Sequence, residues 1–327
     1  MVQETYLRYQ TTPPETIHAL MHGCAKDFCT GMWGRLTRSE KFFLITGSIL
    51  FLLATCKQNL VHEREKNTMR TVISQDGTAI AFDRSGVGSP IILVLGAFSD
   101  RSTGAPLAQF LSEHFAVFTY DRRGRGDSGD TAPYAVDREI EDLEALIKEA
   151  GGSASVFGYS SGATLSLKAA ARGLAITKLA LYEPPLIVDD SRPRPPQDLA
   201  AQISELVLAG RRGEAVELFQ TKGVGIPVEV VAQLRHAPFR PALENMAHTL
   251  VYEMTILGDM SVPTELVDSV TVPTLVMDGG DSPAFLRNGA QALVDALPKG
   301  QHCRLPGQTH DIVPQVFAPV LEEFFAD

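Results

Sequence analysis

The chain is poor in cysteine. Of its four, Cys24, Cys29 and Cys56 fall within the first 68 residues. Residues 69–327 therefore hold Cys303 alone, cannot close a disulfide among themselves and must be stabilised by packing. Tryptophan is scarcer still, Trp33 being the single example. Positive charge is in deficit, with 29 Lys and Arg against 39 Asp and Glu and a formal net charge of −10. That balance repels a polyanion, and no basic stripe interleaved with aromatics offsets it, so nucleic acid is excluded as a partner. Nor does the apolar run Phe42 to Thr55 reach across a membrane, since as a helix it extends only ~21 Å against a hydrocarbon core of ~30 Å.

What that run does suit is the h-region of a signal peptide, with Arg35, Arg38 and Lys41 ahead of it. Leu53-Ala54-Thr55-Cys56 resembles a bacterial lipobox, with Thr55 where Gly, Ala or Ser is usual. Two expectations follow for residues 1–68. Either residues 42–56 act as a signal or anchor, giving an exported or membrane-tethered protein, or the segment is an upstream extension, translation starts at Met69 and the protein is cytoplasmic. His18, His22, Cys24 and Cys29 are metal ligands by type, but their spacing matches no zinc module, and no metal is expected.

From Met69 onward, strands and helices alternate without repeats. Arg70 to Ser74 and Thr78 to Asp83 predict an opening antiparallel hairpin around Gln75-Asp76-Gly77. Strands are then expected at Pro90–Leu95, Phe115–Tyr120, Ser153–Phe157, Ile176–Leu181, Thr271–Met277 and Gln301–Pro306. Helices are expected at Ala105–His114, Val136–Glu149 and Gly162–Arg172. Short β-branched strands separated by helices imply a mostly parallel, doubly wound α/β sheet covered on both faces. About 184–268 breaks the alternation. Prolines at 184, 185, 193, 195 and 196 stop the sheet, and helical periods over Asp198–Leu208, Gly213–Thr221, Val228–His236 and Pro241–Leu257 predict an inserted helical cap. Within it Phe219, Leu234, Phe239, Met246, Leu250 and Met254 form an apolar set that suits the cap's own core better than a substrate pocket.

The most specific chemical signal is Gly158-Tyr159-Ser160-Ser161-Gly162, a G-x-S-x-G turn between the strand and helix around it. A turn tight enough to swing a hydroxyl out of a sheet requires neighbours without bulk, which makes Ser160 a nucleophile candidate. Its partners should follow as an acid and then a histidine, and His310, just past the last strand, falls where the base belongs.

Two other turns extend the pattern. Tyr120-Asp121-Arg122-Arg123-Gly124-Arg125-Gly126-Asp127-Ser128 resembles the Y-D-x-R-G-x-G-x-S turn of the α/β-hydrolase superfamily, and Val94-Leu95-Gly96-Ala97-Phe98 resembles its oxyanion loop. With the elbow, these identify residues 69–327 as resembling the cofactor-free esterase and haloperoxidase-like branch. The resemblance implies the α/β-hydrolase fold and an oxyanion hole made by the backbone N–H groups of Ala97 and Ser161. It implies no cofactor, and a small molecule as substrate. The sequence departs from the family at Leu95, where a histidine is usual, so the loop lacks its usual side-chain support. The acid stays open. The family places it three residues past a glycine closing the seventh strand, which is Ser282 here, so Asp281, one residue short, is taken first, then Asp278, then Glu183 after the sixth strand.

The implied activity is a serine hydrolase cleaving small esters or related carboxyl derivatives. Perhydrolysis in cofactor-free haloperoxidase style, carbon–carbon bond hydrolysis, and an inert ligand receptor under the same cap are the alternatives. The oligomeric state is not legible. Gly124, Gly126 and Gly129 match G-x-G-x-x-G, yet Thr131-Ala132-Pro133 follows where a dinucleotide site needs a helix. Arg125-Gly126-Asp127 matches an adhesion tripeptide, but inside this tight turn it is expected to be structural.

Overall fold

A computed structural model describes residues 70–326, and the expectations for 1–68 (signal or anchor, lipobox cysteine, metal-type residues) lie outside the described residues. Eight strands form one sheet in the order β1-β2-β4-β3-β5-β6-β7-β8. They are β1 (Arg70–Ile73), β2 (Ala79–Ser85), β3 (Pro90–Val94), β4 (Ala116–Tyr120), β5 (Ala154–Tyr159), β6 (Ile176–Tyr182), β7 (Thr274–Gly279) and β8 (Gly300–Leu305). The β1–β2 and β2–β4 pairings are antiparallel, and all others are parallel. The expected hairpin and six following strands are thus present, and the fold is the α/β-hydrolase fold. Strand β7 begins three residues later than Thr271 because Pro273 carries no N–H to donate to the ladder.

Helices α1 (Arg101–Leu111), α2 (Val136–Glu149) and α3 (Ser161–Ala171) cover the sheet. Helix α1 starts four residues before the expected Ala105. Asp100 caps it, accepting from the N–H groups of Ser102 and Thr103, while Pro106 is accommodated inside. Between β6 and β7 lies the helical insertion, with α4 (Leu199–Leu208), α5 (Arg212–Leu218), α6 (Val228–Leu234), α7 (Arg240–Asn245), α8 (Leu250–Leu257) and α9 (Thr264–Val267). The single helix expected over Pro241–Leu257 is two helices, separated by a 3₁₀ turn at Ala247–Thr249. Helices α10 (Ala284–Ala296) and α11 (Pro314–Phe325) complete the fold. Among the described residues no helix is long and apolar enough to cross a membrane.

Apolar residues pack on both sheet faces. One cluster joins Ile92, Val156 and Leu181 to Leu143 of α2 and Leu165 of α3, and the other joins Phe157, Tyr182 and Met277 to Leu107 of α1 and Phe317 of α11. The insertion has a third core around Ile203, Val216, Phe219, Leu250 and Met254, against which Ala97, Phe98 and Phe285 pack. Of the six apolar residues singled out in its sequence, Phe219, Leu250 and Met254 belong to that core, whereas Leu234, Phe239 and Met246 are half-buried.

Candidate active site

Along the sheet the chain reverses direction of travel at β3, which pairs with β4 on one side and β5 on the other. Ligands of open α/β sheets sit beyond the strand carboxyl ends at such a point. The register puts Val94 opposite Gly158, Tyr159 opposite Tyr182, and Tyr182 opposite Met277. Gly96, Ser160 and Glu183 therefore emerge side by side. Hydrogen bonds continue past the strands, from Ser160 N–H to Tyr182 O at 2.9 Å and from Glu183 N–H to Met277 O at 3.1 Å.

Ser160 has φ 56° and ψ −124°, a strained conformation for a residue with a side chain, held by the packing around it. The flanking glycines are sterically required. A Cβ on Gly162 would lie 2.2 Å from Val94 O, and one on Gly158 would lie 2.7 Å from Ala163 Cα. The resulting geometry sets Ser160 Oγ 3.1 Å from His310 Nε2. On the far side of the ring, His310 Nδ1 is 2.6 Å from Glu183 Oε2. The other oxygen, Glu183 Oε1, accepts from Gly279 N–H at 2.8 Å. Against a carboxylate the Nδ1 nitrogen must donate, which leaves the Nε2 lone pair facing the serine hydroxyl.

The acid beside His310 is therefore Glu183, last of the three in the sequence ranking, and not Asp281. Asp281 is exposed in the turn after β7, where its N–H donates to Gln308 O at 2.9 Å, and no partner of its carboxylate is found among the described residues. Glu183 instead leaves β6, the strand adjacent to β5, with φ 47° turning its fully buried side chain across β7. Asp278 is buried too, but it pairs with Arg304 Nε at 2.6 Å and with His302 on the neighbouring strand β8.

Two tyrosines that sequence reasoning passed over hold the histidine loop. Tyr159 Oη donates to His310 O at 2.7 Å, and Tyr182 Oη donates to Thr309 O. Burial pushes both phenols well above their ordinary range, and for Tyr182 the neighbouring Glu183 adds to the effect, so both stay donors at any working pH. Their position in and beside the elbow strand was the available signal.

The loop after β3 runs beside the serine. Ala97 and Phe98 are half-buried, and Phe98, at φ 60°, meets Phe219 of the insertion edge to face at 5.6 Å. Ser161 opens α3, so its N–H has no acceptor within the helix, and among the described residues none faces the N–H of Ala97 or Ser161. Among the described residues no group of three or more His, Cys, Asp or Glu side chains is gathered that could hold a metal ion.

A strand-turn-helix serine at the switch point of such a sheet defines an α/β-hydrolase, and the chain belongs to the alpha/beta hydrolase family, whose model matches residues 91–320. It is similar to an alpha/beta hydrolase from Sphaerobacter thermophilus of known crystal structure, at 57% identity and a TM-score of 0.75, covering 78% of this chain and 100% of that one. It is also 29% identical over 164 residues, 48% of this chain, to N-formylmaleamate deformylase of Pseudomonas putida, and spans 61% of that relative's length. The enol-lactonase from Burkholderia xenovorans shares the fold at 20% identity and a TM-score of 0.58, covering 79% of this chain and 100% of that one.

Proposed function

We propose that the chain is a serine hydrolase for small esters or related carboxyl derivatives, with Ser160 as nucleophile, His310 as base and Glu183 as the orienting acid. The observation that carries this reading is the continuous relay from Ser160 Oγ through His310 to Glu183, with contacts of 3.1 and 2.6 Å. As Ser160 attacks the carbonyl carbon, its proton passes to His310 Nε2 and the carbonyl oxygen takes up negative charge. The N–H groups of Ala97 and Ser161 receive that charge, and Glu183 stabilises the imidazolium. His310 then protonates the leaving group as the bond to it breaks, giving an acyl-serine. Water, deprotonated by His310, releases the acid and restores Ser160. Phe98, half-buried on the loop beside the serine, favours a small hydrophobic acyl or alcohol portion.

Labelling with a fluorophosphonate should modify Ser160, located by peptide mapping, and the enzyme should turn over p-nitrophenyl acetate. Ser160→Ala should reduce kcat by ~10⁴ to 10⁶ with the melting temperature unchanged. An alanine variant keeping more than about a tenth of the rate removes Ser160 from the role. Extending the panel to lactones, N-formyl amides, carbon–carbon substrates and added peroxide separates ester hydrolysis from the other chemistries. Absence of any turnover alongside tight ligand binding would favour a receptor.

A further inference from the structure

The serine-hydrolase reading leaves a gap at Leu95, where the loop has an aliphatic side chain in place of the expected histidine. Beneath that loop lie two arginines of the turn after β4. Both are buried, and neither takes part in the relay. Arg125 Nη1 donates to Gly96 O at 2.6 Å and to Ser99 O at 3.3 Å, bridging two carbonyls of the loop. Arg122 Nη1 donates to Leu95 O at 3.3 Å. One carboxylate oxygen, Glu253 Oε1 of insertion helix α8, pairs with both, with Arg125 Nη2 and with Arg122 Nη1, the latter at 3.0 Å. Glu139 of α2 takes the rest of Arg122, at 2.6 Å to Nε and 2.8 Å to Nη2. Two cations and two anions thus balance in a buried cluster.

The peptide plane gives this cluster a consequence at the reacting centre. Gly96 C=O and Ala97 N–H belong to one rigid planar unit and point in opposite directions. Fixing the carbonyl on Arg125 fixes the N–H on the opposite side, toward the site. A cation at the oxygen also polarises the amide and strengthens its hydrogen as a donor.

We propose that Arg125 is the positioning residue of the oxyanion loop, filling from below the role left open by Leu95, and that Glu253 ties it to the helical insertion. The inference rests on the serine-hydrolase reading. Burial alone disfavours the charge on Arg125, and the like charge of Arg122 adds to that; Glu253 and Glu139 oppose both. Its charge therefore depends on contacts from α8 and α2. The Arg125-Gly126-Asp127 tripeptide is accounted for in the same way, since its arginine is inside the molecule and unavailable to a partner.

Removing one member alone would strand a buried charge, so the test uses variants that keep the charge count balanced. Arg125→Lys keeps the cation but loses the fork. The double variant Arg125→Met with Glu253→Gln removes one charge of each sign. Each is compared with wild type for melting temperature, for Ser160 labelling by a fluorophosphonate, for kcat and KM on p-nitrophenyl acetate, and for inhibition by phenylboronic acid, whose tetrahedral adduct places an oxygen in the hole. The expected result is a folded double variant with kcat down ~10² to 10³, the loss found for one misplaced oxyanion donor, and KM within about threefold. Boronate inhibition should weaken in parallel, and Arg125→Lys should lie in between. A double variant that melts lower yet keeps kcat per labelled site within about threefold assigns Arg125 a stability role only and overturns the proposal. If the double variant does not fold, an unchanged kcat and boronate affinity in Arg125→Lys overturns it equally. A wild-type enzyme that is not labelled at Ser160 instead overturns the hydrolase reading, and the inference falls with it.

Discussion

Glu183→Gln isolates the contribution of the acid, because the amide is nearly the same shape and the geometry around it leaves the new side chain no good orientation. In one setting its oxygen accepts from Gly279 N–H as Oε1 does at 2.8 Å, and its NH₂ then faces His310 Nδ1, which lies 2.6 Å from Oε2 in the native site. The ring must accept there, so its proton moves to Nε2 and points at Ser160, and the base is lost. In the flipped setting the histidine keeps its tautomer, but NH₂ meets the Gly279 N–H donor to donor in a fully buried place. Neither setting supplies the negative charge that steadies an imidazolium. The expected loss in kcat is on the order of 10⁴, four decades at ~1.36 kcal/mol each, or about 5.4 kcal/mol of transition-state stabilisation. Initial rates on p-nitrophenyl acetate should show it with little change in KM, and Asp281→Asn should stay within about twofold, its carboxylate being exposed. A Glu183→Gln enzyme retaining more than a tenth of the native kcat, or a collapse in Asp281→Asn, refutes the assignment.

The other carboxylates should separate from catalysis. Asp278→Asn loses charge-assisted bonds to Arg304 and His302 and should cost ~1–3 kcal/mol, a melting temperature lower by roughly 2–12 °C, with kcat within threefold; a collapse of kcat would place Asp278 in the site. Gly162→Ala drives a Cβ to 2.2 Å from Val94 O and 2.7 Å from Leu95 O, so both the elbow and the loop must move; an unchanged melting curve and rate would contradict that packing. At Asp76, burial raises the carboxyl, but hydrogen bonds from Thr78 and Arg123 outweigh it and lower it from 3.8 to about 2. A folded pKa below the unfolded one stabilises the native state above about pH 4, and that contribution disappears as pH falls from about 4 toward 2. Urea midpoints of native and Asp76→Asn proteins should therefore converge as pH falls from about 4 to about 2, and a constant gap would rule out the linkage.

What could be read from the sequence was local, and what could not was a matter of which strand ends lie side by side. The elbow declares itself because its steric demand falls on glycines two residues from Ser160, whatever the rest of the fold does. Strands of four to seven residues between helices likewise set the sheet type by their own pattern. Helix α1 begins four residues before the expected Ala105 because the Asp100 carboxylate caps the N–H groups of Ser102 and Thr103. The acid had no local mark. Glu183 and Asp281 both follow strands, and only the adjacency of β6 to β5, the positive φ at Glu183 and the N–H of Gly279, 96 residues away, decide between them. Arg125 is the sharper case. The missing histidine at Leu95 was visible as a missing donor, and an unsupported loop carbonyl in a buried place has to find one. Sequence poses that requirement without saying where it is met. The donor comes from 29 residues further on, in a tripeptide that resembles a recognition motif, and its charge is balanced by a glutamate 128 residues beyond that. A departure from a motif is therefore informative when it is treated as an unsatisfied hydrogen bond, because the compensating residue must then be buried, cationic or polar, and within reach of one particular carbonyl.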